Sequence, residues 1–169
     1  MTAAVARAVA AALALRAAGP APRPSEGEAR AGAEAAARSL LAAAGRGDAA
    51  AILALVADEG LRCMEATASR AEVQERLASP GDGLRAAFLD TARLRELHPL
   101  APPAVSLSEL FRRGGPRTLE VVFWDRVGEG PWDRPCVEVH AARYRYAPVL
   151  CFVRRKGRFR LWRSPEPGC

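Results

Sequence analysis

Three neighbouring segments near the C-terminus decide the fold: TLEVVFWDRV at 118–127, CVEVHAARYRY at 136–146 and PVLCFVRRKGRFRLW at 148–162. They are rich in valine and aromatic residues, which favour strands, and turn-forming glycine and proline residues lie between them. We therefore expect three or four antiparallel strands, in a curved sheet formed mainly by residues 118–163.

The turns between these segments predict how the strands pair. Lys156-Gly157 between two apolar runs is a hairpin signal, and a second turn is expected at Arg145–Pro148. The pairs that follow are Phe152 with Leu161, Cys151 with Trp162, Ala142 with Cys151, His140 with Val153, and Val127 with Cys136.

Alternation of side chains along these strands gives the sheet two faces, and both are largely apolar. One face carries Val137, Val139, Ala141, Leu150, Phe152, Phe159 and Leu161. The other carries Leu119, Val121, Phe123, Val127, Cys136, His140, Val149, Cys151, Val153 and Trp162, interrupted by Asp125, Glu138 and Arg160. Helices can cover one face, so the other is expected to meet a ligand, a partner chain such as a second copy, or the sheet itself.

The residues before the sheet predict helices. An alanine-rich helix is expected over 28–44, and Asp48 is a good N-cap for a second helix. Capping boxes at Ser69–Glu72 and Ser106–Glu109 start two more helices, and the apolar run LRCM at 61–64 predicts one strand. The fold class is therefore α+β, with N-terminal helices packed on the antiparallel sheet.

Residues 1–27 are expected to be a leader and linker. The start of this segment resembles a secretory signal peptide, because an arginine is followed by the apolar run AVAAALAL and then by small residues. Its end, GPAPRPSEG at 19–27, is typical of a linker. The apolar run is too short for a transmembrane segment, which takes about 20 residues. An organelle transit peptide and a plain alanine-rich tail are the alternatives. The remainder, 28–169, is expected to be one α+β domain, exported to the periplasm or outside the cell, and otherwise cytoplasmic.

The cysteines allow disulfides in an exported chain, but the expected strand pairing excludes one of them. With Cys151 opposite Ala142, Cys136 lies about 20 Å away, beyond the reach of a disulfide. A bridge from Cys169 to Cys63 or to a neighbouring strand is open, as are buried free thiols. No tight C-x-x-C pair is present for zinc, and Cys136 and His140 are about 13 Å apart along a strand, so neither a metal nor a cofactor is expected.

The chain is basic, with a formal charge of +6, but this gives little support for a nucleic-acid partner. Lys156 is the only lysine, and richness in arginine, alanine and glycine is typical of a high-GC bacterial gene. The end of the chain lacks acids between Val139 and Glu166, which favours an anion-binding surface. The candidate anion-binding residues are Arg143, Arg145, Arg158 and Arg160. Aromatic residues lie between them, as on single-stranded nucleic-acid surfaces, but no RNA-binding signature is present.

Two motifs resemble the nuclear-transport-factor-2-like (cystatin-like α+β) superfamily. They are the helix–GD–helix AEAAARSLLAAAGRGDAAAILALVA at 33–57 and the closing hairpin CFVRRKGRFRLWR at 151–163. The resemblance covers roughly residues 30–163. It implies a conical sheet wrapped around helices, with a pocket or a dimer contact. The superfamily includes isomerases, dehydratases and non-enzymatic accessory domains, so it does not select a function.

The isomerases of that superfamily use an acidic base and a tyrosine hydroxyl inside the cone. In this chain Glu138 and His140 share a strand face, and such a pair can perform acid–base chemistry if it is enclosed. On an open surface it is an ordinary charge pair. The residues expected to bind a small ligand are Phe123, His140, Tyr144 and Trp162.

Together these features favour a non-enzymatic, exported binding domain. It is expected to take a small ligand or a protein partner on the sheet face or in a cone-like pocket. One alternative is an acid–base enzyme centred on Glu138 and His140. Another is a binder of anions or nucleic acid through the arginines of residues 143–163.

Overall fold

A computed structural model describes residues 23–64, 66–99, 104–115, 117–123, 134–144 and 148–167. Its helices are α1 (Glu26–Arg46), α2 (Ala49–Leu55), α3 (Arg70–Ala78), α4 (Gly83–Leu89), α5 (Thr91–Leu97) and α6 (Leu107–Arg113). Its strands are β1 (Leu61–Cys63), β2 (Ala66–Ala68), β3 (Arg117–Val122), β4 (Cys136–Ala141), β5 (Val149–Arg155) and β6 (Arg158–Leu161). The predicted α+β class, with helices on an antiparallel sheet, is confirmed.

The main sheet is an antiparallel meander in the order β3-β4-β5-β6. The hairpin β1-β2, of which the sequence predicted only the first strand, extends it beyond β6. The chain around β1 runs parallel to the end of β6, with bridges from Val56 to Leu161 and from Arg62 to Arg163. The amide of Arg62 donates to the carbonyl of Trp162 at 2.7 Å, which fastens the hairpin to the sheet edge.

The β5–β6 hairpin forms as the sequence predicts. Phe152 lies opposite Leu161 and Arg155 opposite Arg158. The two turn residues, Lys156 and Gly157, both have positive φ, 50° and 77°. That backbone matches the right-handed twist of the strands, which explains why this short turn fixes the register.

The pairing of β4 with β5 differs from the prediction. Cys136 lies opposite Cys151, so Ala142 does not. The turn predicted at Arg145–Pro148 falls largely on residues 145–147, which lie outside the described residues. The described strands show that β4 ends at Ala141, where it is still paired with β3, and that β5 begins at Val149. Ala141 also bridges to Tyr144. The expected pairing of His140 with Val153 belongs to the same predicted register and is wrong too.

The disulfide that the sequence analysis excluded is present. Cys136 and Cys151 are bonded, with their Cα atoms 4.0 Å apart, because the observed register makes them direct neighbours. Cys63 is disulfide-bonded too, whereas its expected partner Cys169 lies outside the described residues. The alternative of free thiols is therefore wrong for the three described cysteines.

The pairing of β3 with β4 moves three side chains to the face opposite the predicted one. Cys136 lies opposite Val122, and not opposite Val127, which is outside the described residues. Consequently Leu119, Val121 and Phe123 share the face of Val137 and Val139 and join the core.

The core face of the sheet holds the side chains predicted for it. Val137, Val139, Leu150, Phe152 and Leu161 are each at most 1% exposed and pack with the helices. The second face is not a wet face either, because Cys136, Cys151 and Val153 on it are at most 4% exposed. The prediction that both faces are substantially apolar is confirmed for these strands.

Helix α1 lies across the core face of the sheet and begins at a capping box of Ser25 and Glu28. Its buried stripe is mostly alanine, and small side chains let the helix approach the sheet closely. The buried members at helical spacing are Ala29, Ala33, Ala37, Leu40 and Ala44. The predicted capping box of Ser69 and Glu72 is also present, at the start of α3.

The predicted leader falls largely on residues 1–22, which lie outside the described residues. In the part of the chain that the structure describes, no helix combines the length and the apolar character needed to cross a membrane.

Candidate functional site

The candidate acid–base pair, Glu138 and His140, lies on the second face of the sheet beside a third titratable residue, Glu120. Glu120 of β3 is directly opposite Glu138 of β4. The Nε2 atom of His140 is 3.4 Å from a carboxylate oxygen of Glu120 and 3.6 Å from one of Glu138. The His140 side chain is 53% exposed, and that of Glu120 is 66% exposed. Water therefore surrounds the cluster, whereas acid–base catalysts tune their proton affinities by enclosure. Asp125, which the expected pairing of Val127 with Cys136 would set opposite Glu138, lies outside the described residues.

The same three side chains are close enough to share a cation. Their ligand atoms lie within 4.8 Å of one another. Exposed carboxylates often gather in this way without a metal, so the spacing alone does not assign a metal centre to Glu120, Glu138 and His140. The expectation of no metal stays a prediction.

The four residues predicted to bind a ligand lie in different places. Phe123 is at the end of β3 in the core, beneath the guanidinium of Arg30, which is 5.0 Å from the ring centroid. The hydroxyl of Tyr144 donates to Glu109 at 2.7 Å, and this bond raises the pKa of Tyr144. His140 is exposed, and Trp162 lies beyond the end of β6. They do not form one site.

The predicted anion-binding arginines are equally scattered. Arg143 and Arg158 are exposed. Arg160 instead extends towards α2, where its guanidinium donates to the carbonyl of Ala54. Arg145 lies outside the described residues. The arginines of this segment therefore do not converge on one position in the described structure.

A cleft of about 340 Å³ lies between α1, the end of α6 and the start of β3. Its volume is in the range of small-molecule sites, about 300–1,000 Å³. We call it the helix-side cleft; it is lined by Arg38, Leu41, Phe111, Gly115, Arg117 and Leu119. Two leucines and an aromatic ring thus face the same space as two guanidinium groups.

Phe111 forms a fixed wall of this cleft. Its ring rests on Gly45 of α1 so closely that a Cβ atom at that position would be 2.1 Å from the ring atom Cδ1. The guanidinium of Arg117 lies over the same ring, 4.9 Å from its centroid. Phe111 is nevertheless 37% exposed, so part of an ordered aromatic surface is open to a ligand.

The side chain of Arg117 is held by the end of α6, and these contacts use only some of its guanidinium N–H donors. Its Nη1 atom donates to the carbonyls of Leu110 at 3.0 Å and Phe111 at 2.6 Å. These bonds satisfy two carbonyls at the helix end and fix the side chain. Within the described residues its Nε and Nη2 donors have no recorded acceptor, so they can bind an anionic group.

The sequence did not single out this cleft, and of its lining residues only Leu119 was placed on a sheet face expected to meet a ligand or a partner. Its walls come from a helix, a second helix and a strand that are far apart in the chain, so no local spacing links them. Gly45 directly follows the helix expected over 28–44, where a glycine is typical of a helix end, so it did not indicate the contact with Phe111. Comparison of the chain with known protein families, with characterised proteins and with solved structures found no match.

Proposed function

We propose that this chain is a non-enzymatic binding domain for a small amphipathic anion, taken up in the helix-side cleft. One observation carries the proposal: the guanidinium of Arg117 lies over the half-exposed ring of Phe111, next to Leu119 and Leu41. An apolar ligand body fits against the ring and the leucines. Its anionic head group fits the unused donors of Arg117.

The charges that line the cleft favour a negatively charged ligand. Among the described residues that line it, the titratable side chains are Arg38 and Arg117, both cations, and none is a carboxylate. Arg38 is paired with Glu34 one helical turn earlier and stays exposed at the rim, where it adds a weaker attraction. A fatty acid or an aromatic acid of similar size has the required chemistry, whereas an amine of the same shape does not.

Binding is favoured over acid–base catalysis because of where the titratable groups lie. Neither Glu138 nor His140 lines the helix-side cleft, and both sit on the opposite face of the sheet from Leu119. The described residues of the cleft can hold and orient an acid, and none of them is a general base.

Export of the domain is part of the proposal. It rests on the signal-like residues 1–27, and the disulfides of Cys136 with Cys151 and at Cys63 support it. Disulfides persist mainly in oxidising compartments such as the periplasm. Intact-mass measurement of the protein from its native cells tests this: we expect a shortened N-terminus and no free thiol at these positions, whereas a full-length, reduced chain would contradict export.

The membership of the nuclear-transport-factor-2-like superfamily is also proposed. The helical opening over residues 33–57 and the meander that ends in the β5–β6 hairpin support it.

Calorimetric titration with decanoate and with decyltrimethylammonium tests the binding function. We expect saturable binding of the acid and none of the cation, which has a similar apolar chain. Arg117→Gln should weaken decanoate binding by about tenfold or more, since a charged hydrogen bond contributes roughly 1.5–3 kcal/mol. Arg113→Gln is the matched control, because Arg113 is an exposed arginine at the end of α6 that does not line the cleft. Equal binding of both amphiphiles, or equal losses in the two variants, would reject the proposal.

A further inference from the structure

A second, smaller cleft lies on the other face of the sheet, where the β1-β2 hairpin meets β5. Its volume is about 180 Å³, which suits a compact group rather than an elongated molecule. We call it the outer-face cleft; it is lined by Glu59, Gly60, Arg62, Thr67, Arg134, Val153, Arg155 and Trp162. Within the described residues, three guanidinium groups from three chain segments therefore meet one carboxylate.

The carboxylate in this cleft is already engaged. Glu59 accepts a hydrogen bond of 2.8 Å from Nε of Arg155 and a second from the same guanidinium. Burial raises the pKa of Glu59, but its backbone hydrogen bond and the Arg155 bonds outweigh this, so the pKa lies below its usual value. The negative charge of Glu59 thus neutralises the positive charge of Arg155. Within the described residues neither Arg62 nor Arg134 forms an ion pair, and their charges remain for a ligand.

Trp162 adds a second kind of donor, an indole N–H, to the guanidinium groups. Its backbone amide donates to the carbonyl of Cys151 at 3.1 Å, which fixes the residue beside β5. The guanidinium of Arg134 lies over the indole, 5.4 Å from the ring centroid. The indole Nε1 atom is buried and has no hydrogen-bond partner within the described residues. Because indole nitrogen can only donate, its missing partner is an acceptor.

The disulfide holds Arg134 at this cleft. Arg134 precedes Cys136 by two residues, and the carbonyl of the intervening Pro135 accepts from the amide of Phe152 at 2.8 Å. The bond between Cys136 and Cys151 then ties that segment to β5. Arg62 is fixed independently, because its Nε atom donates to the carbonyl of Met64 at 2.9 Å. The donors are therefore ordered before a ligand arrives, which lowers the entropy cost of binding.

We propose that the outer-face cleft binds a tetrahedral oxyanion, phosphate or sulfate, free or as the terminal group of a larger molecule. Guanidinium forks match such oxygens in pairs, and donors from separate segments suit an ion with acceptors on several sides. A planar carboxylate has fewer acceptor directions and uses fewer of these donors. This site is separate from the helix-side cleft and does not depend on its ligand.

Titrations with inorganic phosphate, sulfate and acetate, at constant ionic strength set with chloride, test the proposal. We expect saturable binding of phosphate or sulfate at millimolar or lower concentration, and at least about tenfold weaker binding of acetate. Arg134→Gln and Trp162→Phe should each weaken binding by about fivefold or more. The second keeps an aromatic ring but removes the indole N–H together with the five-membered ring that carries it. Arg158→Gln is the matched control, because that exposed arginine of the β5–β6 turn does not line the cleft.

Three results would overturn the proposal: no saturable binding, acetate binding as tightly as phosphate and sulfate, or equal losses in Arg158→Gln and Arg134→Gln. Circular dichroism of each variant checks that it is folded. Arg134 is exposed, so its substitution is a test that does not depend on Trp162→Phe folding normally. Decanoate affinity should be unchanged in Arg134→Gln, which separates failure at this site from failure at the helix-side cleft.

Discussion

Phe111 packs directly on Gly45, and no other residue type fits beneath its ring. A Cβ atom at position 45 would come within 2.1 Å of Cδ1 and 2.6 Å of Cγ. Alanine inside a helix is normally more stable than glycine by about 1 kcal/mol. At this position the overlap with the ring reverses that preference.

Gly45→Ala should therefore lower the free energy of unfolding and displace Phe111 from the wall of the cleft. In a Phe111→Ala background the same change should become neutral or stabilising by about 0.5–1 kcal/mol. Gly27→Ala is the control, because a Cβ atom there meets nothing within 4 Å and should stabilise in either background. Urea denaturation of the four combinations measures the coupling. If Gly45→Ala stabilises the wild-type chain, the contact with Phe111 is not as described.

The bond between Cys136 and Cys151 should stabilise the sheet. It closes a loop with a sequence separation of 15 residues, for which the loss of unfolded-chain entropy amounts to about 3 kcal/mol. We expect the double variant Cys136→Ala/Cys151→Ala to lose about that much in urea denaturation. The disulfide of Cys63 remains in this variant, so the comparison isolates one bond. An unchanged midpoint would show that the two cysteines are not paired in solution.

The capping box of α3 should make stability depend on pH. Hydrogen bonds from the side chain and then the backbone of Ser69 hold the pKa of Glu72 below its ordinary value of 4.5. A lowered folded-state pKa means that the contribution is present above pH 4.5 and is lost as the pH falls through the folded-state value.

Glu72→Gln should consequently lower the melting temperature at pH 7 and have little effect at about pH 2, where both side chains are neutral. Glu75→Gln, an exposed change on the same helix that leaves the capping box intact, is the control. A difference between Glu72→Gln and wild type that stays constant over this pH range would contradict the expectation.

The sequence predicted the strand pairing only where a tight turn fixes it. The Lys156-Gly157 turn requires positive φ at both residues, and the β5–β6 register followed from it. The link from β4 to β5 is longer, so its length did not set the register. The predicted pairing was six positions from the observed one, because Ala142 was placed where Cys136 lies. An even shift leaves each side chain on its face, which is why the core face was nevertheless correct.

The error in the predicted pairing of β3 with β4 was an odd shift, and it assigned side chains to the wrong face of the sheet. Pairing Val127 rather than Val122 with Cys136 is a shift of five positions, and an odd shift exchanges the faces of Leu119, Val121 and Phe123. The cysteines held a usable signal: requiring Cys136 to face Cys151 sets Val137 opposite Leu150, which pairs two apolar residues. The helix-side cleft gave no comparable signal, because Gly45, Phe111 and Arg117 come together only through the packing of α1 against α6 and of α6 against the start of β3.

The location of bound decanoate decides whether the helix-side cleft is the binding site. In an amide NMR titration of the full chain, we expect saturable shifts that are largest around Leu41, Phe111 and Leu119, and that are weakened in Arg117→Gln but kept in Arg113→Gln. Saturable shifts centred instead on Val153 and Trp162, or no saturable shifts at all, would contradict this expectation.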